Sequence, residues 1–197
     1  RLTAVTSIGL EHTQLLGNTL EKIAREKAGI IKPGTPVLLG PLPSGALGEI
    51  LKIAAERSAP VLRLDESLVS AAGPGKLRIQ GHGDLPAGPV VGPALRTDLG
   101  LALTLFRAIL ASEGRPVETD AIAEALSTLC LPARVERFPG TPEIVMDAAH
   151  TADSIRALRL TLEEIRYPSP RTVVFSIAGG KDVATILAEL PRIARDI

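Results

Sequence analysis

Apolar residues follow two different periods along this chain, and stretches of the two kinds alternate. Residues 2–8 form an apolar, β-branched run, which predicts a buried strand. Asn18 or Thr19 stands where a helix cap is expected, and the helix is predicted to run through Ala28. Further elements follow the same two patterns: strands at residues 35–39 and 61–64, and a helix at residues 46–57. This alternation predicts an α/β fold with a mainly parallel sheet.

The middle of the chain has a different pattern. Residues 71–93 are rich in glycine and proline, which predicts a loop or irregular β region with at most a short strand at residues 76–80. Helices are then predicted at residues 95–113, 118–129, 153–165 and 183–194, and strands at residues 134–138, 144–147 and 172–177. Pro132 interrupts the pattern, so we expect two domains, at residues 1–130 and 132–197.

Composition narrows the class of protein. The 197 residues include 22 Lys+Arg and 22 Asp+Glu, and 45% are hydrophobic, as in soluble globular proteins. A net charge of zero without a basic cluster gives no footprint for nucleic acid or an anionic membrane, and no apolar run is long enough to span a bilayer. The single cysteine, Cys130, excludes an internal disulfide and agrees with a cytoplasmic protein. Its apolar neighbours predict a core position, whereas His82, in a glycine-rich stretch, is expected to be solvated.

The motifs of several enzyme classes are missing from the sequence. It contains no G-x-x-x-x-G-K-[ST] phosphate loop, no G-x-G-x-x-G, no C-x-x-C, no H-E-x-x-H and no G-x-S-x-G. The chain also begins at Arg1 and has its only methionine at Met146. We therefore expect a fragment whose function depends on residues outside it.

One lysine lies at an unusual position. The predicted first helix places five residues on one face at helical spacing, namely Leu16, Leu20, Ile23, Ala24 and Lys27. An ammonium group beside an apolar stripe is costly. Periodicity alone favours a last-turn lysine that reaches water and interacts with the helix C-terminal dipole. His12, in the predicted loop after the first strand, is by itself typical of an ordinary loop histidine.

The same segment resembles a known family. Residues 6–12 (TSIGLEH), 15–20 (LLGNTL) and 23–34 (IAREKAGIIKPG) closely resemble the folylpolyglutamate synthase/dihydrofolate synthase family, the folate branch of the ATP-dependent Mur-type ligases. The resemblance implies that His12 is a Mg²⁺ ligand. It also implies that Lys27 becomes one after carbamylation, which converts a cation into an anionic oxygen donor suited to Mg²⁺. The family's other ligands, a glutamate and the phosphate-loop serine, would precede Arg1.

The second half of the chain resembles the same family at shorter motifs. Residues 131–136 (LPARVE) are similar to the family's W-P-G-R-x-E, which implies that Arg134 contacts the ATP phosphates. Residues 144–151 (IVMDAAHT) resemble its D-G-A-H-N-P turn after a strand, which implies that Asp147 and His150 line the active site between the two domains. Lys181, followed by Asp182, matches the family's K-D, which implies a further nucleotide-binding residue.

The sequence also departs from the family's motifs. Ala133 and Ala148 stand where the family has glycine, and Thr151 stands where it has asparagine. The family's H-Q-x-x-N-A motif near the adenine corresponds to residues 94–99, so that its asparagine becomes Asp98 and its glutamine is lost. The resemblance thus implies nucleotide contacts that are weakened or made differently, with Asp98 at one of them.

The resemblance as a whole implies a two-domain α/β ligase. Residues 1–130 would form the last part of the central ATPase domain, and residues 132–197 would form the first part of a Rossmann-like domain that binds glutamate. Such an enzyme uses ATP and Mg²⁺ to join L-glutamate to dihydropteroate or folate through an acyl phosphate. We expect a cytoplasmic monomer that is inactive as this fragment alone. Two alternatives stay open: a non-catalytic Mur-ligase-like nucleotide-binding protein, and a peptidoglycan-type ligase, although the latter usually lacks the stretch that matches residues 26–30.

Overall fold

A computed structural model describes residues 1–10, 16–178 and 182–194. Contacts between residues divide the chain into two compact units. The first unit consists of residues 1–69 and 97–118, and the second of residues 70–96 and 119–197. Among the described residues, no helix is long and apolar enough to cross a membrane.

The first unit is built on a three-stranded parallel sheet. Its strands are β1 (Thr3–Val5), β2 (Val37–Leu39) and β3 (Val61–Arg63), hydrogen-bonded in that order. Helix α1 (Leu20–Lys27), followed by a 3₁₀ turn at Ala28–Ile30, lies between β1 and β2 in the chain, and helix α2 (Ser44–Glu56) lies between β2 and β3. The sheet confirms the predicted α/β class, because parallel neighbours need such crossover connections.

Apolar packing on both faces of β2 explains why this strand has no polar residue. Val37 and Leu39 pack into a cluster formed with α1 and α2, and Leu38 is equally buried although it alternates to the other face. The cluster contains the fully buried side chains of Ile23, Ile31 and Ile50. The predicted amphipathic face of α1 is therefore confirmed for its apolar residues.

Helix α1 begins where one of the two predicted caps stands. Thr19 has extended backbone geometry, and its side-chain oxygen accepts a hydrogen bond from the backbone N–H of Lys22 at 3.3 Å. This contact satisfies one of the N–H groups that a helix leaves free in its first turn. Thr19 rather than Asn18 is the cap.

The glycine- and proline-rich middle of the chain is more regular than predicted. Strands β4 (Val69–Ala71), β5 (Lys76–Ile79) and β6 (Gly83–Pro86) form a three-stranded sheet in that order, and β5 and β6 are antiparallel. Burial alternates along β5, where Leu77 and Ile79 are covered and their neighbours are exposed. His82, in the turn between β5 and β6, is only half-buried, and its Nδ1 lies 2.8 Å from Oγ1 of Thr119. Tertiary packing thus orders a segment that turn-forming residues dominate.

The remaining α-helices and strands of the described residues are one long helix, three shorter helices and a β-hairpin. They are α3 (Gly92–Ser112), α4 (Thr119–Thr128), β7 (Glu136–Phe138) paired antiparallel with β8 (Ile144–Met146), α5 (Ala152–Glu164) and α6 (Val183–Glu189). Helices α5 and α6 pack together around Ile155, Leu162 and Ile186. A capping box, in which Thr151 and Ser154 exchange hydrogen bonds, starts α5.

Two predictions in this region are wrong. Residues 172–177 form no strand beyond an isolated bridge at Thr172, although Val173, Phe175 and Ile177 pack on the core and Val174 is 98% exposed. This alternation is that of a strand, but strand pairing needs a neighbour, which periodicity does not supply. Cys130 is exposed rather than buried, since it lies two residues after the last residue of α4, outside the described helices and strands.

Candidate functional site

Lys27 is the last residue of α1 and is exposed, so it is not held in the apolar core. Its Nζ donates a hydrogen bond to the backbone carbonyl of Ser7 at 3.3 Å. Ser7 is the second residue after β1, at the carboxyl end of a parallel strand. This edge of an α/β sheet is where ligand groups collect, because the loops that follow parallel strands meet there.

The two backbone segments beside Lys27 lie unusually close together. Gly40 follows β2, and its backbone N–H donates to the carbonyl of Val5 at 3.0 Å. A Cβ atom at Gly40 would lie 2.1 Å from the carbonyl oxygen of Thr6. Only glycine fits at this position. The strand-to-loop turn that supplies the Ser7 carbonyl is therefore held against the end of β2.

Arg134 lies in a turn before β7, not on the predicted strand. The residues on either side of it have left-handed backbone geometry, with φ of 51° at Ala133 and 52° at Val135. Such values are uncommon for alanine and strained for a β-branched residue. This geometry presents the Arg134 side chain to solvent, where its Nη1 donates to the carbonyl of Ala133 at 3.0 Å.

Asp147 fastens this turn to the end of β8. One carboxylate oxygen accepts the backbone N–H of Val135 at 2.9 Å, and the other accepts that of Ala149 at 2.8 Å. The backbone N–H of Ala148 also donates to the carbonyl of Ala133 at 2.9 Å. The structure therefore brings the Arg134 turn and the Asp147 turn together, as the order of motifs in the sequence could not show.

Glu136 is a second carboxylate in this cluster, and it was not singled out from the sequence. Its Oε2 accepts the backbone N–H of Ala133 at 2.8 Å. The glutamate that closes the L-P-A-R-V-E segment was the available signal, since a carboxylate three residues after a tight turn can reach back to the N–H groups of that turn.

His150 is exposed and lies two residues after the Ala148 turn. Its Nδ1 is 2.9 Å from the carbonyl oxygen of Ala148, and its backbone N–H donates to Oγ of Ser154 at 3.0 Å. The ring is thus held by its own turn, and the backbone of His150 is held by the start of α5. The Thr151 and Ser154 capping box shows that threonine at the family's asparagine position is a working helix cap.

The other predicted site residues are placed as follows. Asp98 is exposed on α3. Asp182 caps α6: its carboxylate accepts the backbone N–H of Thr185 at 3.1 Å, and hydrogen bonds from Thr185 lower the pKa of that carboxyl. His12 and Lys181 lie outside the described residues.

The donor atoms of these residues suit Mg²⁺ only in part. Across residues 1–10, 16–178 and 182–194, no three side chains of His, Cys, Asp or Glu come together as a metal site. Lys27 as an ammonium group has no lone pair to offer, but a carbamate on the same Nζ would supply the oxygen donors that Mg²⁺ prefers. An exposed amine at the sheet edge leaves room for that group.

Comparisons with known proteins cover the whole chain. No family model matches it. The chain is 30% identical over 202 residues to the folylpolyglutamate synthase of Lacticaseibacillus casei, an alignment that covers 96% of this chain and 46% of that protein. It is also 30% identical over 207 residues to the dihydrofolate synthase/folylpolyglutamate synthase of Mycobacterium tuberculosis, covering 96% of this chain and 42% of that one.

A solved structure of an FPGS–AMPPCP–folate complex has the same fold. It superposes with a TM-score of 0.87 at 29% sequence identity, over 100% of this chain and 50% of that chain. The chain spans about half the length of the curated relatives it matches. In sequence and in fold, the chain belongs to the folylpolyglutamate synthase/dihydrofolate synthase family.

Proposed function

We propose that the protein containing this chain joins L-glutamate to dihydropteroate or folate at the expense of ATP. The similarity along the whole chain to synthases of that name carries the proposal. The exposed Arg134, fastened by Asp147 at the end of β8, supports it because a guanidinium is suited to phosphate oxygens.

The proposed reaction has two steps. A carboxylate oxygen of the pteridine substrate takes the γ-phosphoryl group of ATP, and ADP leaves. The amine of glutamate then attacks the acyl carbon, an amide bond forms, and phosphate and one proton leave. Arg134 would stabilise charge on the transferred phosphoryl group, and His150, Asp147 and Lys181 would complete the binding site around it.

Magnesium would neutralise the phosphate charge in this reaction, held in part by His12 and Lys27. Lys27 acquires its metal-binding oxygens when its unprotonated amine bonds to the carbon of CO₂ and releases one proton. Asp98 would lie near the nucleotide base, in place of the family's asparagine. The Ser7 carbonyl supports this role for Lys27, since the single N–H of a carbamate can keep the hydrogen bond that Nζ makes now.

We also propose the domain division at residues 1–130 and 132–197, as the end of an ATPase domain and the beginning of a Rossmann-like glutamate-binding domain. The motif at residues 131–136 supports this division. The two compact units of the structure divide the chain at other positions, because residues 70–96 belong to the same unit as residues 119–197. We further propose that the protein is a monomer in the cytoplasm. The exposed thiol of Cys130 agrees with a reducing compartment.

Substitutions in the longer protein that contains this chain test the function. Lys27→Ala and Lys27→Arg should abolish glutamate-dependent phosphate release, since neither side chain forms the carbamate. Near wild-type turnover of Lys27→Arg would contradict the role of Lys27. The 197-residue chain alone should show no folate-dependent ATP turnover, because it contains no phosphate-loop motif.

Substitution of His12 and substitution of Arg134 should impair the reaction in different ways. His12→Ala should raise the Mg²⁺ requirement, whereas Arg134→Ala should lower kcat by about 10²–10³ without rescue by metal. Arg134→Lys should recover little, because an ammonium group lacks the bidentate fork. A magnesium titration of both variants that rescues both, or neither, would contradict this division. No turnover with folate or with dihydropteroate would overturn the proposed function.

A further inference from the structure

Arg57 makes an unusual set of contacts close to Lys27. It lies just after the last residue of α2, and its Nη1 donates to the carbonyls of Ala28 at 3.2 Å, of Gly29 at 3.5 Å and of Ile31. These carbonyls lie just after the end of α1; that of Ala28 also accepts the backbone N–H of Ile31 at 3.0 Å, and that of Gly29 also accepts Nζ of Lys32 at 3.2 Å. One guanidinium nitrogen thus collects the carbonyls of the turn directly after Lys27.

This turn fixes the direction in which Lys27 leaves α1. Ala28 and Ile31 are 0% exposed, so the turn is held by the core on one side and by Arg57 on the other. The backbone of Arg57 adds to the clamp, because its carbonyl accepts the N–H of Gly34 at 2.9 Å. A shift of the turn would therefore move the Cα of Lys27.

The Ser7 carbonyl, which accepts the hydrogen bond from Lys27, is also held in place by its neighbours. The carbonyl of Ser7 follows that of Thr6, whose oxygen would lie 2.1 Å from a Cβ atom at Gly40, so that no side chain fits there. Both ends of the bond between Nζ of Lys27 and the Ser7 carbonyl are thus fixed, one by Gly40 and the other by Arg57. An exposed lysine without these contacts would sample many rotamers.

We propose that Arg57 is a positioning residue that holds the Nζ of Lys27 against the Ser7 carbonyl at the end of β1. The use of that position by the enzyme rests on the proposed function, in which Lys27 is carbamylated. The contacts themselves do not depend on it.

Lysine acetylation of the 197-residue chain, read by mass spectrometry, tests the proposal. Arg57→Ala should raise the rate at Lys27 about three- to tenfold, the effect expected from the loss of one hydrogen bond, while the rates at Lys22 and Lys52 stay unchanged. Arg57→Lys should give an intermediate rate. Arg25→Ala is the matched control, because Arg25 also joins α1 to α2, through Glu49 at 2.8 Å, without touching the turn after Lys27.

The outcomes are distinguishable. An unchanged rate at Lys27 in the Arg57 variants, or an equal rise at all three lysines, would overturn the proposal, since the second result means general loosening. If Arg57→Ala does not fold, Arg57→Lys and Arg57→Gln provide the same comparison. Added bicarbonate should slow acetylation of Lys27 in the wild-type chain. If bicarbonate leaves the acetylation rate of Lys27 unchanged, the carbamylation of Lys27 in the proposed function is contradicted. The positioning role of Arg57 is then still decided by the acetylation rates measured without bicarbonate.

Discussion

Removing the carboxylate of Asp147 should free the turn that carries Arg134. Asp147 accepts two backbone N–H groups, those of Val135 at 2.9 Å and Ala149 at 2.8 Å. A hydrogen bond to a charged acceptor contributes about 1.5–3 kcal/mol, and the lower figure applies because Asp147 is only half-buried. Asp147→Ala should therefore weaken the local structure by about 3 kcal/mol.

A second substitution separates charge and hydrogen bonding from side-chain size. Asp147→Asn keeps the shape but turns one acceptor oxygen into an NH₂ donor, which then faces a backbone N–H. One of the two bonds is lost, so the local loss should be about half as large, about 1.5 kcal/mol. The strained backbone of Val135, at φ of 52°, should relax in both variants.

Hydrogen exchange of single amides is the suitable assay, because a chain with two compact units need not unfold in one step. The amides of Val135 and Ala149 should lose about 100-fold in protection in Asp147→Ala and about tenfold in Asp147→Asn. Amides in α1, such as that of Ile23, should keep their protection.

Asp153→Asn is the matched control. Its carboxylate is 73% exposed and pairs with Arg156 at 2.6 Å on the surface of α5. An exposed pair of this kind contributes about 0–1 kcal/mol, so the exchange of Val135 and Ala149 should be nearly unchanged. If Asp147→Ala behaves like this control, the carboxylate does not hold the turn, and the reasoning is refuted.

Three further predictions concern stability. Ala133→Gly should stabilise the chain by about 1 kcal/mol, since glycine adopts the φ of 51° without strain, and thermal unfolding should shift upward by about 2–4 °C; a downward shift would contradict this. Ile50→Ala should cost about 2–5 kcal/mol and Ile50→Val about 0.5–1.5 kcal/mol in urea unfolding, because Ile50 is 0% exposed, and equal midpoints would argue against a packed core. The hydrogen bond from Arg96 lowers the pKa of Glu164 below its usual value of 4.5. The stabilisation of the folded chain by this pair is therefore present above pH 4.5 and is lost as the pH falls through the lower pKa of the folded state. Glu164→Gln should lose less stability than the wild type between neutral pH and about pH 3, and equal losses would contradict a role for the pair.

The sequence by itself determined the features that depend on local pattern. The alternation of strands and helices, a helix cap at either Asn18 or Thr19 and the position of Asp147 after a strand all follow from short-range periodicity and turn chemistry. The family resemblance was also carried by short segments, such as residues 23–34. These features are local because the residues that cause them are neighbours in the chain.

Only the tertiary structure decided what distant residues do to one another. Residues 172–177 have the alternation of a strand but lack strand pairing beyond Thr172, and Cys130 has apolar neighbours in sequence but none that cover it. The clamp of Arg57 on the turn after Lys27 joins positions about thirty residues apart, and the contact of Asp147 with Val135 spans twelve. Periodicity indicates which face of a helix or strand is apolar. Strand pairing, the burial of a given side chain and its distant hydrogen bonds depend on which elements pack together.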